Sequence, residues 1–178
     1  GDLAVQLREA QSERDALLKQ IETLKQNGTT TDVKVDEQLM MRAALTNVKG
    51  SGVSVLIEDS LKPIQSGENP NLFVIHDEEI LRIVNELRAG GAEAIAINDQ
   101  RLIGTSEIRC SGPTITVNGK VFGAPFVVKA IGDPKTLNSA LTMRGGVVDS
   151  LKHWGIKVTI KEENEIAIPA FTGTFREE

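Results

Sequence analysis

Residues 77–97 read DEEILRIVNELRAGGAEAIAI, a segment that predicts an amphipathic helix followed directly by a short apolar strand. Asp77 can cap the helix, and the acidic residues of the first turn suit the positive end of the helix dipole. Apolar residues then recur every three or four positions until Gly90-Gly91 ends the helix. The run Ala94–Ile97 is apolar at every position, which is typical of a buried central strand.

A strand is also predicted before this segment, so that the three elements form a βαβ unit. Val53, Val55 and Ile57 recur at every second position after a glycine-rich start, as expected for a strand. The polar residues 60–71 that follow predict an exposed loop. Ahead of the strand, a short amphipathic helix is expected over about residues 37–48.

A second unit with the same order of elements follows later in the chain. Residues 126–131 predict its first strand, and Asp133-Pro134 begins its helical part as cap and first helical residue. Val158 and Ile160 mark its second strand. The polar residues 162–164 predict a turn that leads into a separate final strand.

Two short strands at 107–110 and 114–117, and the turn signal Asn118-Gly119 that leads from the second into residues 120–122, predict a hairpin inserted between the two units. This order of elements predicts an α+β domain over residues 31–178, a ferredoxin-like split βαβ sandwich. Such a domain has one mostly antiparallel sheet with both helices on one face. A doubly wound α/β sheet is the alternative, and the shortage of strand–helix repeats weakens it.

Residues 1–30 predict a coiled-coil stalk that ends in a hinge. Their apolar residues are spaced alternately by four and three positions, the spacing of the a and d positions of a heptad. The predicted oligomerisation seam consists of Leu3, Leu7, Ala10, Arg14, Leu17, Ile21 and Leu24. Arg14 weakens this seam but can select its register. A single amphipathic helix packed on its own domain is the alternative. Because Gly1 already lies within the heptad pattern, we expect the chain to continue upstream.

Composition narrows the classes of partner. The net charge is −5, the basic residues are scattered and aromatic residues make up 3% of the chain, so no nucleic-acid interface is expected. The scarcity of aromatics also predicts a core of Ile, Val, Leu and Ala. Cys110 is the one cysteine, which excludes an internal disulfide. No stretch approaches the roughly 20 apolar residues of a membrane-spanning helix.

No catalytic residue, metal site or cofactor is predicted. The segment 76–79 (HDEE) has the residue types of a metal site, but successive side chains at a helix start diverge, and helix capping accounts for the acids. His153, the other histidine, is distant in sequence. Cys110 lies in a predicted strand without an evident base, which favours a small buried side chain over a nucleophile. The glycine pairs match no phosphate-binding loop.

A set of polar residues follows the apolar strand 94–97. The candidate ligand-binding residues are Asn98, Arg101 and Arg109. Strand ends are favoured ligand sites, and an arginine there can bind a carboxylate or phosphate through two hydrogen bonds. Asn85 and Glu93 are expected to be structural, with Asn85 partly buried and hydrogen-bonded. Alternatively, Arg101 forms an internal ion pair with Glu93 or Asp99.

Several stretches occur in an order that resembles a known family. The most specific is 91–98 (GAEAIAIN) followed by Arg101, and others are 74–77 (VIHD), 83–87 (IVNEL) and 131–134 (IGDP). Together they resemble the domain of unknown function 881 family of bacterial proteins, which includes the YlxW/YlxX-like proteins. The resemblance covers the chain from about residue 40 almost to its C-terminus.

The resemblance implies a single-pass protein of the cell membrane. In such a protein an N-terminal span is followed by a coiled coil and then by this domain, outside the cytoplasm. Some members of the family are encoded near cell-division components. The resemblance implies no enzymatic activity.

Three hypotheses about function follow. The leading one is a non-enzymatic protein-interaction or scaffold module whose stalk self-associates and whose domain binds a protein partner at the cell envelope. A sheet edge or the hairpin around Asn118-Gly119 would form the partner surface. The alternative is a sensor domain that binds a small anionic ligand. The third is an enzyme, such as a hydrolase that uses His76 or Asp77.

Overall fold

The computed structural model describes residues 14–16, 19, 23 and 37–173. The chain divides into two units, Gly1–Arg42 and Ala43–Glu178. In the first unit, the described residues up to 23 and residues 37–42 are helical. Arg14 is exposed and pairs with Asp15 at 3.0 Å, whereas the other six residues of the predicted seam lie outside the described residues.

The second unit combines strands and helices. Its strands are β1 (Val48–Glu58), β2 (Ala94–Ile97), β3 (Gln100–Arg101), β4 (Ile108–Ser111), β5 (Thr114–Val117), β6 (Lys120–Phe122), β7 (Phe126–Ile131) and β8 (Lys157–Ile168). Its helices are α1 (Asp77–Ala89), α2 (Pro134–Leu141) and α3 (Val147–His153), with a 3₁₀ helix at Pro70–Phe73. Within the described part of the chain, no helix is long and apolar enough to cross a membrane.

The strands form two antiparallel sheets, so the predicted combination of helices with antiparallel strands is confirmed. The larger sheet has five strands in the order β3-β2-β7-β1-β8, and the smaller has the order β4-β5-β6. In the larger sheet β1 lies between β7 and β8, with Val55 opposite both Val128 and Ile160. Asn118, at the turn between β5 and β6, donates a hydrogen bond of 2.8 Å to the carbonyl of Arg101. This bond joins the smaller sheet to β3.

The main core lies on the face of the larger sheet that carries Val53, Val55 and Ile57. α1, α2 and α3 all bury apolar residues there, because their apolar positions recur at helical spacing. The core is aliphatic apart from the fully buried Phe126 and the phenyl ring of Phe73, as the composition predicted. The opposite face of the sheet carries a smaller buried cluster that includes Ala96, Ile131 and Ile168.

Two boundaries differ from the sequence prediction. The predicted turn at 162–164 is wrong, since β8 continues through these residues to Ile168. β1 pairs with β8 on both sides of an irregularity between Gly50 and Gly52, and this long partner keeps the polar residues of β8 in the strand. The N-terminal helix is shorter than expected: it ends at residue 42, and Ala44 has a left-handed φ of 60°.

Gly52 generates a prediction about stability. A Cβ at Gly52 would overlap the carbonyl oxygen of Ala130 in β7, whereas a Cβ at Gly104 would meet no atom within 4 Å. Because β7 cannot move away without losing its ladder to β1, we expect Gly52→Ala to lower the free energy of unfolding by about 3 kcal/mol. Gly104→Ala should change it by less than about 1 kcal/mol. Urea unfolding followed by circular dichroism measures both, and equal effects would contradict the close approach.

Candidate functional site

A loop at residues 60–73 leaves the end of β1 and returns to the start of α1. Its two ends are tied together, since the Ser60 amide donates to the Phe73 carbonyl at 2.9 Å. A second bond lies directly outside the first: the Ile75 amide donates to Asp59 Oδ1, also at 2.9 Å. Compact surface loops with closed ends are frequent functional elements.

The loop also has internal hydrogen bonds. Asn69 caps the 3₁₀ helix by accepting a bond from the Asn71 amide at 3.1 Å. Glu68 accepts the amide of Gln65 at 2.7 Å, and Gly67 supplies the positive φ of 93° that the turn requires. The sequence predicted an exposed polar segment here, and the structure adds that the segment has a defined shape.

The loop packs against the end of α3. Lys62 Nζ donates to the carbonyl of His153 at 3.1 Å, and the rings of Phe73 and Trp154 meet edge to face with centroids 6.4 Å apart. Gly155 has a φ of 79° and no side chain, which leaves room for Lys62 and Ser60. A cleft of about 340 Å³ lies between the loop and the rings of Phe73, His153 and Trp154.

Large apolar side chains are exposed on or beside this loop. The exposed set, named here the loop surface, consists of Leu61, Ile64, Leu72, Val74 and Trp154. Leu61 is 96% exposed and Ile64 is 49% exposed. Lys62, Gln65 and Glu68 add polar groups around the cleft. An apolar centre that includes a tryptophan, with a polar rim, is the usual composition of a protein-binding surface.

A second cluster joins the start of α1 to β4. The amide of Cys110 donates to Asp77 Oδ2 at 2.9 Å, and the amide of Asp77 donates to Cys110 Sγ at 3.2 Å. His76 Nδ1 lies 3.8 Å from the same sulfur. His76 Nε2 lies 2.8 Å from the carbonyl of Asn71, and because a carbonyl only accepts, Nε2 carries the proton and Nδ1 faces the thiol as an acceptor.

This geometry also corrects the predicted helix start. His76, not Asp77, is the cap residue of α1, and its amide donates to the side chain of Glu79 at 2.9 Å. The carboxylate of Asp77 is free to bind the amide of Cys110 because Asp77 is already the first helical residue. The proximity of His76 to Cys110 was not predicted, because no local signal connects residues 34 positions apart.

The electrostatics of the cluster oppose a thiolate. Burial raises the pKa of Cys110. The hydrogen bond from the Asp77 amide opposes this rise in pKa, and the carboxylates of Asp77 and Glu79 add to it. The amide of Cys110 is occupied by Asp77 and cannot stabilise an oxyanion. The cluster therefore joins the smaller sheet to α1 through a protonated thiol at neutral pH. Within residues 14–16, 19, 23 and 37–173, no three His, Cys, Asp or Glu side chains are placed to hold a metal ion.

The predicted ligand residues have different environments. Asn98 and Asp99 form the turn between β2 and β3 with positive φ values of 44° and 61°, and Asn98 Oδ1 accepts the amide of Val127 at 2.7 Å. Arg101, in β3, is only 5% exposed. Arg109 is exposed on β4, and none of the hydrogen bonds or ion pairs between described residues connects it to Arg101.

The guanidinium of Arg101 lacks the expected internal partner. Asp99 pairs with Lys129 at 2.8 Å, and Glu93 is exposed. Arg101 Nη1 is buried and has no hydrogen-bond partner, and burial lowers the pKa of Arg101. Asn85 is exposed on α1, so the expectation that it is partly buried is wrong: its position falls outside the apolar stripe of the helix.

Comparisons with known proteins find relatives over most of the chain. A family model described as "Bacterial protein of unknown function (DUF881)" matches residues 35–177. The chain is 42% identical to the UPF0749 protein YlxW of Bacillus subtilis over 73% of its own length and 56% of that protein. It is 29% identical to the UPF0749 protein Rv1825 of Mycobacterium tuberculosis over 84% of its length and 51% of that protein. The chain thus spans about half the length of the curated relatives it matches.

A solved structure resembles the fold. The crystal structure of an uncharacterized conserved protein from Mycobacterium tuberculosis superposes with a TM-score of 0.66 at 28% identity. The match covers 79% of this chain and 93% of that one. The arrangement of strands and helices is therefore shared with an experimentally determined structure.

The contact of Asp77 with the Cys110 amide generates a prediction about pH. That hydrogen bond is the main cause of the lowered pKa of Asp77 in the folded state. A carboxylate whose folded pKa lies below its unfolded value of about 3.9 stabilises the fold above that pH, and the contribution is lost as the pH falls through the folded pKa. We expect Asp77→Asn to lower the free energy of unfolding by about 1 kcal/mol at pH 7, with a smaller difference at pH 3.

Urea unfolding at the two pH values measures this difference. Glu78→Gln is the control, because it removes a charge from the same turn of α1 without touching the bond to Cys110. A difference between wild type and Asp77→Asn that grows toward low pH would contradict the assignment.

Proposed function

Because the chain belongs to the bacterial DUF881 family of unknown function, with a family match over residues 35–177, we propose a role in assembly rather than catalysis. The chain is a non-enzymatic protein-interaction module of a membrane-anchored protein that acts at the cell envelope, with cell division as the process the family resemblance suggests. The single observation that carries this proposal is the loop surface, in which apolar side chains are held in an exposed position by a closed loop.

The loop surface is suited to binding because it is preformed. Association costs free energy when loops and side chains must be ordered, and a loop that is already closed avoids part of this cost. The Ser60 and Asp59 bonds fix its ends, and Lys62, near its start, bonds to the last residue of α3. Single exposed apolar residues are ordinary, but several exposed along one closed loop favour an interface.

The chemistry of the second cluster also supports a binding role. A nucleophilic cysteine requires a thiolate, an oriented base and donors for an oxyanion. His76 is an oriented base near Cys110, but burial and two carboxylates keep the thiol protonated, and the Cys110 amide is engaged. A hydrolase at His76 or Asp77 is therefore not favoured.

The proposal includes the architecture around the module. The four longest strands of the larger sheet have the order β2-β7-β1-β8, and helices connect β1 to β2 and β7 to β8. This arrangement supports a ferredoxin-like split βαβ fold. The heptad spacing of residues 1–30 supports a self-associating coiled-coil stalk. A membrane anchor upstream of the stalk would place the domain outside the cytoplasm.

In-cell photo-cross-linking tests the interaction surface. A photoreactive phenylalanine derivative replaces Leu61 or Ile64 in the full-length protein, expressed at its natural level in its own bacterium. Controls carry the same residue at Lys135 or Met143, which are both exposed but lie on α2 and just after it. We expect one discrete adduct with another protein at positions 61 and 64 and none at the control positions. Equal adducts at all four positions, or none, would reject the loop surface.

The same experiment tests the stalk. A photoreactive residue in place of Leu7, a predicted seam position, should give an adduct of twice the mass of the protein. The same residue at Glu9, a predicted outward position, is the matched control. If position 7 gives no such adduct, or position 9 gives it equally, self-association through the seam is wrong.

A further inference from the structure

Arg101 belongs to a row of side chains on the face of the larger sheet opposite the main core. It lies across from Ala96 in β2, and Ala96 lies across from Lys129 in β7. The row continues through Ser54 in β1 to Lys161 in β8. Directly opposed residues of antiparallel strands project to the same face. Three cationic residues therefore share one row, separated by the small side chains of Ala96 and Ser54.

The charges near this row do not balance at Arg101. Asp99 pairs with Lys129 at 2.8 Å, and elsewhere on this face Glu58 pairs with Lys157 at 2.8 Å. Glu163, the remaining acid of this face of β8, is opposite Gly52 in the next row. No ion pair among the residues that the structure describes reaches Arg101. Its charge is uncompensated and buried, whereas Lys161, which also has no ion pair among these, is exposed to solvent.

An uncompensated arginine with a buried guanidinium nitrogen is energetically costly. Arg101 is 5% exposed and its Nη1 atom is buried without a hydrogen-bond partner. Arginine stays charged in proteins, so the cost of burial is not avoided by losing the proton. Burial of an unpaired charge costs several kcal/mol, whereas a partner that accepts two N–H bonds offsets it.

We propose that Arg101 binds a small oxyanion, a phosphate or carboxylate group of a free ligand, at the β3 end of the larger sheet. Such a group supplies the negative charge and the planar or tetrahedral acceptors that a guanidinium binds through two hydrogen bonds. The ion pair of Asp99, whose side chain is 65% exposed, with Lys129, which is 32% exposed, lies at the same end of the sheet. This inference is independent of the proposed function, because the loop surface does not include any of these residues.

Thermal unfolding of the full chain in the presence of defined ions tests the site. Inorganic phosphate and acetate are each compared with sodium chloride of equal ionic strength. Because an ion that binds only the folded state stabilises it, we expect at least one oxyanion to raise the Tm by about 2–4 °C relative to chloride. Equal Tm values in phosphate, acetate and chloride would overturn the proposal.

Two variants assign the effect to Arg101. In Arg101→Met the rise should disappear, and the Tm in chloride should not fall below that of the wild type, because an unpaired buried charge has been removed. Arg109→Met, which removes an exposed arginine of the adjacent sheet, should keep the full response. A rise that persists in Arg101→Met would show that the ion binds elsewhere.

Phosphorus NMR keeps the test decisive if Arg101→Met fails to fold. The phosphate resonance should broaden in the presence of the wild-type chain and of Arg109→Met. Arg101→Lys retains the charge but not the forked donors. It should lower the affinity for phosphate at least about tenfold and so reduce the broadening. Undiminished broadening with Arg101→Lys, or no response of the wild type to either oxyanion, would overturn the proposal.

Discussion

The double pairing of β1 is the constraint on which the rest of the structure depends. β1 forms antiparallel ladders with β7 on one side and with β8 on the other, and Gly52 allows the close approach to Ala130. Alternate residues of β1 then face the three helices, so one strand organises the main core. Because both edges of β1 are hydrogen-bonded where these two ladders run, the ends of β1 are fixed. The segments attached to these ends therefore also have fixed positions.

The loop surface is the clearest consequence of that constraint. Asp59 and Ser60 directly follow β1, and their hydrogen bonds to Ile75 and Phe73 close the loop on a rigid base. The exposed apolar residues therefore lie on a loop that is attached to the core and not on a free segment. The Arg101 site lies on β3, at the edge of the larger sheet opposite β8. The charge of Arg101 is unpaired because the nearby Asp99 pairs with Lys129 instead. The two proposed binding surfaces thus lie on separate parts of one domain.

Local signals in the sequence were sufficient to predict most of the helices and strands. The features that they did not predict depend on contacts between residues far apart in the sequence. The periodicity of α1, the apolar run of β2 and the turn Asn118-Gly119 are each encoded within a few residues, so their predictions agree with the structure. The continuity of β8 depends on β1, more than a hundred residues earlier, and the polar residues 162–164 imitate a turn. The proximity of Cys110 to His76 and the unpaired state of Arg101 likewise depend on tertiary packing and not on spacing in the sequence. Residue types identified Arg101 as unusual, but only its burial shows why.

The central claim is that two hydrogen bonds anchor a preformed binding loop to the end of β1. Native-state hydrogen–deuterium exchange, resolved by residue, tests this most directly, because amides in stable bonds exchange only when the bonds open. The account predicts that the amides of Ser60 and Ile75 exchange at least about 100-fold more slowly than those of Leu61, Ile64 and Gly67. If Ser60 and Ile75 exchange as fast as the loop between them, the loop is not clamped and the account is wrong.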